Sequence, residues 1–141
     1  MTSPDRRLLP MSAGWQTVQW MLFAVWIADA IAVMMHRRAG FLTNHAADLT
    51  LPPWLYITFR RQYRGLAGLP LVRDICASAV KTGSFVLLAS CATEVSQYFW
   101  PHGLFAGTFD WYDLLTYFIG VTAVVAADLR WDIRGAGRAM P

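Results

Sequence analysis

Ionisable residues inside apolar segments are the residues of this sequence best placed to do chemistry. Asp29, Lys81 and Glu94 each interrupt a long apolar run. A charge near the centre of a lipid bilayer costs at least about 2.5–3.5 kcal/mol, so such residues usually face a partner, a cavity or a ligand. Gln97, three residues after Glu94, would share its face of a helix. This pair is the first candidate for a polar pocket.

A second concentration of acidic residues follows shortly after Glu94. Asp110 has the character of a helix N-cap, whose side chain accepts backbone N–H bonds. Asp113 would then lie in the first turn of the same helix, and capping explains it less well. His45 and His102 could join these carboxylates in a metal site, or they could be solvated residues of loops and helix ends. Both interpretations stay open.

The role of Asp29 depends on the topology of the chain. With the N-terminus inside the cell, Asp29 reaches the depth of Glu94, and paired carboxylates both ionise only with a cation or shared proton between them. With the N-terminus outside, Asp29 lies near Lys81 and could form a salt bridge. The simpler alternatives are a hydrogen bond within the bundle for Asp29, and an ammonium of Lys81 that reaches the headgroups.

Composition indicates a membrane protein. The chain has 141 residues, of which 56% are hydrophobic and 15% charged, against about 25% charged in typical globular proteins. Aromatic residues make up 14%, which suits a chain anchored at headgroup depth. The net charge of +3 fits basic loops that set membrane orientation, and no Lys/Arg run exceeds two residues, so no nucleic-acid partner is expected.

The elements that must position these side chains form one membrane domain over residues 1–141. We predict an all-α, polytopic transmembrane bundle with three long helices at about 15–35, 75–100 and 111–128. A shorter helix at about 49–59 either crosses the membrane or is re-entrant, since 41–59 contains Asn44, His45, Asp48, Pro52 and Pro53 and only its second half is strongly apolar.

Basic residues predict the orientation of the bundle. If the shorter helix crosses, the cytoplasmic side carries Arg6, Arg7, Arg60, Arg61, Arg64, Arg73, Arg130, Arg134 and Arg138, and the outside carries Arg37 and Arg38. If it does not cross, the count on the cytoplasmic side is the same. Both alternatives place the C-terminus in the cytoplasm and the loop 101–110, which has no Lys or Arg, outside.

Two short motifs resemble a known family. The run Glu94-Val-Ser-Gln97, followed after a loop by Asp113-Leu-Leu-Thr-Tyr117-Phe-Ile-Gly120, is similar to the core of the VanZ-like family of small bacterial membrane proteins. The likeness covers about 92–127, with a weaker upstream part in Asn44-His45-Ala-Ala-Asp48-Leu49 and Pro52-Pro53. Glu94, Gln97, Asp113 and Gly120 match the family's polar and glycine positions. Tyr117 stands where an Asn is usual, and the outer loop lacks the Arg that the family often has.

This resemblance implies an integral membrane bundle of about four helices in the bacterial cytoplasmic membrane. It also implies a link to glycopeptide-antibiotic resistance, known for the founding member, and no established reaction. We expect no cofactor, and we lean against an enzyme because the sequence has no nucleophile-and-base arrangement, phosphate-binding glycine loop or HExxH motif.

The function that we expect is a polar, acidic pocket near the outer leaflet that binds a cationic group, or holds a divalent ion against a lipid phosphate. The residues that would line it are Glu94, Gln97, Asp113, Asp110, Asp29, Asp48, His45 and His102. Membrane lipid is the expected partner. One alternative is a structural accessory subunit bound to other membrane protein subunits, as in a respiratory or photosynthetic complex. Another is proton or ion translocation through Asp29 and Glu94.

Overall fold

The computed structural model describes residues 12–37, 40–62, 69–102 and 108–137, and within them the chain is helical, with no strand. The helices are α1 (Ala13–Met34), α2 (Gly40–Ile57), α3 (Pro70–Ala77), α4 (Ala79–Phe99) and α5 (Trp111–Gly137). A π-helical turn, Thr58–Gln62, continues α2. The predicted all-α fold is therefore confirmed.

Helices α1 and α2 form an antiparallel pair. The Gln19 amide donates to the Thr58 hydroxyl at 3.0 Å, and the Phe23 and Trp54 rings stack with centroids 5.5 Å apart. The reversal follows α1 directly, where His36 adopts a φ of 53° and the Arg37 N–H donates to the Ala32 carbonyl. This is a Schellman-type helix end, which satisfies a terminal carbonyl as the chain turns back.

The remaining long helices extend this pair into a bundle. His45 contacts Asp113 and Tyr56 contacts Asp128, so α2 and α5 run parallel. Glu94 accepts a bond from the backbone of Asp110, and α4 therefore returns antiparallel to α5. Helix α2 packs against both α1 and α5, and α4 packs mainly on α5. The helices α1, α2, α4 and α5 thus alternate in direction along the chain. Helix α2 lies at the centre because it packs against both α1 and α5.

Helix α2 begins earlier than predicted. It starts at Gly40 rather than near residue 49, because the polar residues His45 and Asp48 face other helices instead of ending the helix. Pro52 and Pro53, which the prediction placed near the start of the shorter helix, lie in the interior of α2. A proline at position 53 removes the N–H that would bond to the Leu49 carbonyl, so that carbonyl is left to face α5.

Gly120 of α5 fits against this carbonyl. A Cβ added at Gly120 would lie 2.7 Å from the Leu49 oxygen and 2.9 Å from Cγ of Pro53. Only a residue without a side chain permits this approach, and a Cα–H of glycine is a weak donor to such an oxygen. The close contact of α2 with α5 therefore depends on Pro53 and Gly120 together.

The predicted single helix 75–100 is broken at Ser78. This residue is extended, with φ −122° and ψ 132°, and its side chain caps α4, while α3 makes an angle of 109° with α4. Asp74 lies within α3, and its carboxylate accepts from Lys81 Nζ at 2.7 and 2.9 Å. Lys81 thus lies in the first turn of α4 and is paired locally.

Among the residues that the structure describes, two helices are long and apolar enough to cross a membrane, namely Ala13–Met34 and the part Trp111–Trp131 of α5, and α3 with α4 passes only as a bent pair. Many large apolar side chains on these helices are exposed, among them Trp20 at 68% and Leu88 at 70%. A bundle with an apolar outer surface is typical of helices in lipid. The buried core is Trp15, Tyr56, Ile57, Ala79, Val86, Val121 and Val124.

Candidate functional site

Polar side chains of α2 and α5 meet where these two helices begin. His45 Nδ1 lies 2.6 Å from Asp113 Oδ1, and the Tyr117 hydroxyl donates to Asp48 Oδ1 at 3.1 Å. Residues three or four apart share one face of a helix, so the spacing 45 and 48 on α2 matches 113 and 117 on α5. Parallel packing then brings the two faces together.

Three of these side chains lie close enough to one another to be candidate metal ligands. The ligand atoms of His45, Asp48 and Asp113 all lie within 4.8 Å of one another. One imidazole nitrogen and two carboxylates are donors that suit zinc, manganese or ferrous iron, whereas calcium and magnesium prefer oxygen ligands alone. Small rotations of the side chains would allow one divalent ion to contact all three. We call these residues, with Glu94 and Tyr117, the acidic cluster.

Glu94 joins the acidic cluster from α4. It is only 2% exposed, and its Oε1 accepts the backbone N–H of Asp110 at 2.7 Å. Its carboxylate also lies beside the Tyr117 hydroxyl. Glu94 therefore fixes the end of α4 to the start of α5 and adds a third carboxylate to the cluster.

Asp110 acts as the N-cap of α5. Its Oδ1 accepts the backbone N–H of Tyr112 at 2.9 Å, and its own N–H is bonded to Glu94. A carboxylate at this position also interacts favourably with the positive end of the helix. The carboxylate of Asp110 is thus explained by its role as a helix cap. The carboxylate of Asp113 is explained instead by its contact with His45.

The acidic cluster carries more negative than positive groups among its described members. Three carboxylates, of Asp48, Asp113 and Glu94, face one histidine, which balances one of them when protonated. Carboxylates at close range do not all ionise in a buried place unless a proton or a cation lies between them. The cluster is therefore built to attract positive charge.

Three residues predicted for the pocket lie outside the hydrogen bonds of the acidic cluster. Asp29 is buried in α1, and the register of α1 against α2 places it level with Asp48. No described side chain forms a hydrogen bond or ion pair with the Asp29 carboxylate. Gln97 is half-buried and bonded to no described member of the cluster. His102 is exposed beyond the end of α4.

A second polar cluster occupies the opposite end of the α2–α5 pair, and it was not predicted. Asp128 is fully buried. It accepts from the Tyr56 hydroxyl at 2.7 Å and from Arg60 Nε at 3.1 Å, and it also pairs with Arg61. Arg60 donates further to the Cys76 carbonyl at 3.0 Å. We call Tyr56, Arg60, Arg61 and Asp128 the arginine cluster.

The sequence contained a signal for each missed residue. Tyr117 follows Asp113 by four positions, which places both on one helical face. Arg60 and Arg61 directly continue an apolar segment, so they belong to the end of a helix as easily as to a basic loop. Asp128 closes the last apolar run in the same way.

Comparison with known proteins adds no relative from which a function could be transferred. No family model, curated protein or solved structure matches this chain. The function is therefore inferred from the geometry of the two clusters.

Proposed function

We propose that this chain is a multi-pass membrane protein that binds a divalent cation in the acidic cluster, near the outer leaflet. The observation that carries the proposal is the convergence of His45, Asp48 and Asp113 within 4.8 Å. Tyr117 orients one ligand by its hydrogen bond to Asp48, as outer partners do around metal ligands. A lipid phosphate at the same depth completes the coordination and is the second ligand of the site.

The length of α5 supports the depth that we propose for the site. Trp111 and Trp131 are twenty residues apart and both exposed, which corresponds to about 30 Å at 1.5 Å per residue. This is the thickness of the hydrocarbon core of a bilayer, and tryptophans mark its boundaries. Asp113 then lies about 3 Å below one boundary, within reach of the headgroups.

The positions of the arginines support the orientation that we propose. The up-and-down order of the helices places the start of α1, the end of α2, α3 and the end of α5 on one side, and Arg60, Arg61, Arg73 and Arg130 belong to that side. Basic residues favour the cytoplasm. The acidic cluster then faces the outside of a bacterial cytoplasmic membrane, and the C-terminus is cytoplasmic.

Cysteine labelling tests this orientation. In a variant without Cys76 and Cys91, we expect single cysteines at the exposed positions His36 and Thr108 to react with an impermeant thiol reagent in intact cells. A cysteine at the exposed position Leu69 should react only after the cells are opened. Labelling of position 69 in intact cells would reverse the orientation, and labelling of position 36 but not 108 would contradict the up-and-down order.

The resemblance to VanZ-like proteins is part of the same proposal. Of the residues that carry it, Glu94 and Asp113 lie in the acidic cluster and Gly120 makes the close contact with α2. Residues shared with a family at functional and packing positions support a common architecture better than scattered identities would. Gln97 does not contribute to this support.

Ion-dependent stability tests the cation site. Thermal unfolding of the purified protein in detergent should shift upward with Mn²⁺ or Zn²⁺, since an ion at a hundred times its Kd adds about 2.7 kcal/mol to the free energy of unfolding. Asp113→Asn and His45→Gln should lose most of the shift. Asp74→Asn, which removes an exposed carboxylate in α3, should keep it. A parent protein without any ion-dependent shift would remove the cation site.

A second candidate function is that of an accessory subunit in a larger membrane complex. The observation that favours it is α1, which packs on α2 and leaves Trp20, Met21 and Met34 at least 64% exposed. Such a surface suits lipid or another subunit. Recovery of stoichiometric partners by affinity purification in mild detergent would favour the subunit, and a lone protein with a cation shift would favour the cation site.

Proton or ion translocation is the candidate that the described residues support least. The buried residues of α5 between Tyr117 and Asp128 are Gly120, Val121 and Val124, and those of α2 at this level include Pro52 and Pro53. Thr50 is polar, but its hydroxyl donates to the Ala46 carbonyl of its own helix. The two clusters are therefore separated by a layer of buried, mostly apolar residues at the contact of α2 with α5.

A further inference from the structure

Two buried N–H groups near the start of α1 have no acceptor among the described residues. They are Nε1 of Trp15 and Nε of Arg61. Trp15 as a whole is only 6% exposed. Buried donors are almost always satisfied, because an unmade hydrogen bond leaves the cost of desolvation uncompensated. Each of these donors therefore requires an acceptor.

The two donors are neighbours. The guanidinium carbon of Arg61 lies 4.7 Å from the centroid of the Trp15 ring. Arg61 already pairs with Asp128 through Nη2, and its Nε is a buried donor that still lacks an acceptor. N–H donors bond oxygen at about 2.9 Å, and a phosphate offers several oxygens, so one phosphate group is broad enough to accept from both.

The surroundings of these donors favour an anion over a neutral acceptor. Trp15 lies in the first turn of α1, which contains no acidic residue, and the N-terminus of a long helix carries partial positive charge. Beside it, Gly14 is exposed, and a Cβ there would meet only the Ser12 hydroxyl at 4.0 Å. A ligand can thus approach the backbone. The guanidinium supplies a full positive charge, and it binds phosphate well.

We propose that the first turn of α1 and Arg61 bind a phosphate group, supplied by a lipid headgroup or by a free phosphate. This site lies at the end of the bundle opposite the acidic cluster and is independent of the cation proposal. Both donors lie at the boundary of the apolar part of α1, where lipid phosphates occur. Asp128 keeps its own bond to Arg61, and the phosphate takes the Nε and Nε1 donors.

Trp15→Phe tests the site, since phenylalanine keeps an aromatic ring under Arg61 and removes the indole N–H together with the rest of the five-membered ring. Thermal unfolding in detergent is followed while phosphatidylglycerol, a phosphate-free glycosyl diacylglycerol or inorganic phosphate is titrated. We expect phosphatidylglycerol to raise the unfolding midpoint of the parent and the phosphate-free lipid to leave it unchanged. Trp15→Phe should weaken apparent phosphatidylglycerol binding about tenfold, the value of one hydrogen bond to a charged group.

The inorganic phosphate titration distinguishes the two sources. A rise with phosphatidylglycerol alone assigns the site to lipid, and a rise with inorganic phosphate as well shows that the phosphate group suffices. Trp131→Phe, which changes an exposed tryptophan at the same end, is the matched control and should bind like the parent. An equal rise with the phosphate-free lipid, no rise in the parent, or an unchanged titration of Trp15→Phe would overturn the proposal.

Discussion

The two ends of the α2–α5 pair bury polar clusters of opposite design. At the arginine cluster, one carboxylate lies between two guanidinium groups and a tyrosine hydroxyl, and Asp128 has a partner on every side. At the acidic cluster, carboxylates from α2, α4 and α5 converge on one histidine and one tyrosine hydroxyl. The arginine cluster surrounds its one carboxylate with groups that pair with it, and the acidic cluster brings together carboxylates of one sign.

This difference indicates different purposes. A buried carboxylate paired with arginines gains little net stability over apolar packing, but losing one partner is costly, so such a cluster holds helices in one arrangement. A group of like charges stabilises nothing by itself. Such a group is expected where the binding of a ligand offsets the electrostatic repulsion among its members. Proteins commonly lose some stability in this way at functional sites. This contrast supports a structural role for the arginine cluster and is in keeping with the binding role that we propose for the acidic cluster.

The largest effect is expected at the arginine cluster, from Asp128→Asn. The amide keeps the shape of the side chain but leaves the buried Arg61 guanidinium without its carboxylate, which should lower the free energy of unfolding by about 3–5 kcal/mol. Unfolding by dodecyl sulfate in mixed micelles measures this value.

The matched control for this substitution is Asp74→Asn. Asp74 also pairs with a cation, Lys81, but both side chains are more than half exposed, at 65% and 54%. Exposed ion pairs contribute about 0–1 kcal/mol. If both substitutions cost the same, the arginine cluster is not a structural centre, and the contrast between the two ends would be lost.

The next largest loss of stability is expected from Gly120→Ala, in the apolar contact of α2 with α5 between the two clusters. The added methyl group meets the Leu49 carbonyl and Pro53, which are backbone and ring atoms with little freedom to move, and such overpacking costs about 1–3 kcal/mol. At Gly83, an alanine Cβ meets side-chain atoms of Val125 and Val121, which can shift.

We therefore expect Gly83→Ala to cost less than Gly120→Ala in the same unfolding measurement. The reverse order would show that the α4–α5 contact, and not the α2–α5 contact, holds the two ends in register. In that case the parallel pairing of His45 with Asp113 would need another support.

The helices were predictable where they are apolar, and less so where polar residues find partners. The helices α1 and α5 follow from long hydrophobic runs. In α2, His45 and Asp48 suggested a loop because the sequence does not show that Asp113 and Tyr117 lie opposite them. The break at Ser78 could not be predicted because Ile75 and Ala77 continue the apolar pattern of the helix. The angle between α3 and α4 depends on local backbone conformation and on tertiary contacts, which the sequence does not show.

The candidate site was predictable as a set of residue types but not as a geometry. Glu94, Asp113, Asp48 and His45 were singled out as polar residues in or near apolar segments, and these four meet. Asp29 satisfied the same criterion, yet its carboxylate projects from a different helix and lies outside the hydrogen bonds of the cluster. The arginine cluster was missed because charge counting treats arginines near helix ends as solvated, whereas Arg61 is folded back over Trp15.

Asp110 should give a small effect that separates capping from charge. Asp110→Asn is expected to be nearly silent, since asparagine caps a helix about as well as aspartate, and Asp110→Ala should cost about 1 kcal/mol. The unfolding free energy in mixed micelles again measures both. A large cost for Asp110→Asn would place Asp110 among the charges of the cation site, and not only at the cap of α5.

The sharpest contrast with Asp128→Asn is expected from Asp113→Asn without divalent ions, which should affect stability as little as Asp110→Asn does. The asparagine oxygen can still accept a hydrogen bond from His45, and the loss of one negative charge relieves repulsion from Asp48 and Glu94. These changes nearly cancel, so the free energy of unfolding should stay within about 0.5 kcal/mol of the parent. The same aspartate-to-asparagine change would then cost several kcal/mol at one end and almost nothing at the other. If Asp113→Asn is instead as damaging as Asp128→Asn in ion-free buffer, the acidic cluster holds the helices together in its own right, and a ligand is not needed to explain its carboxylates.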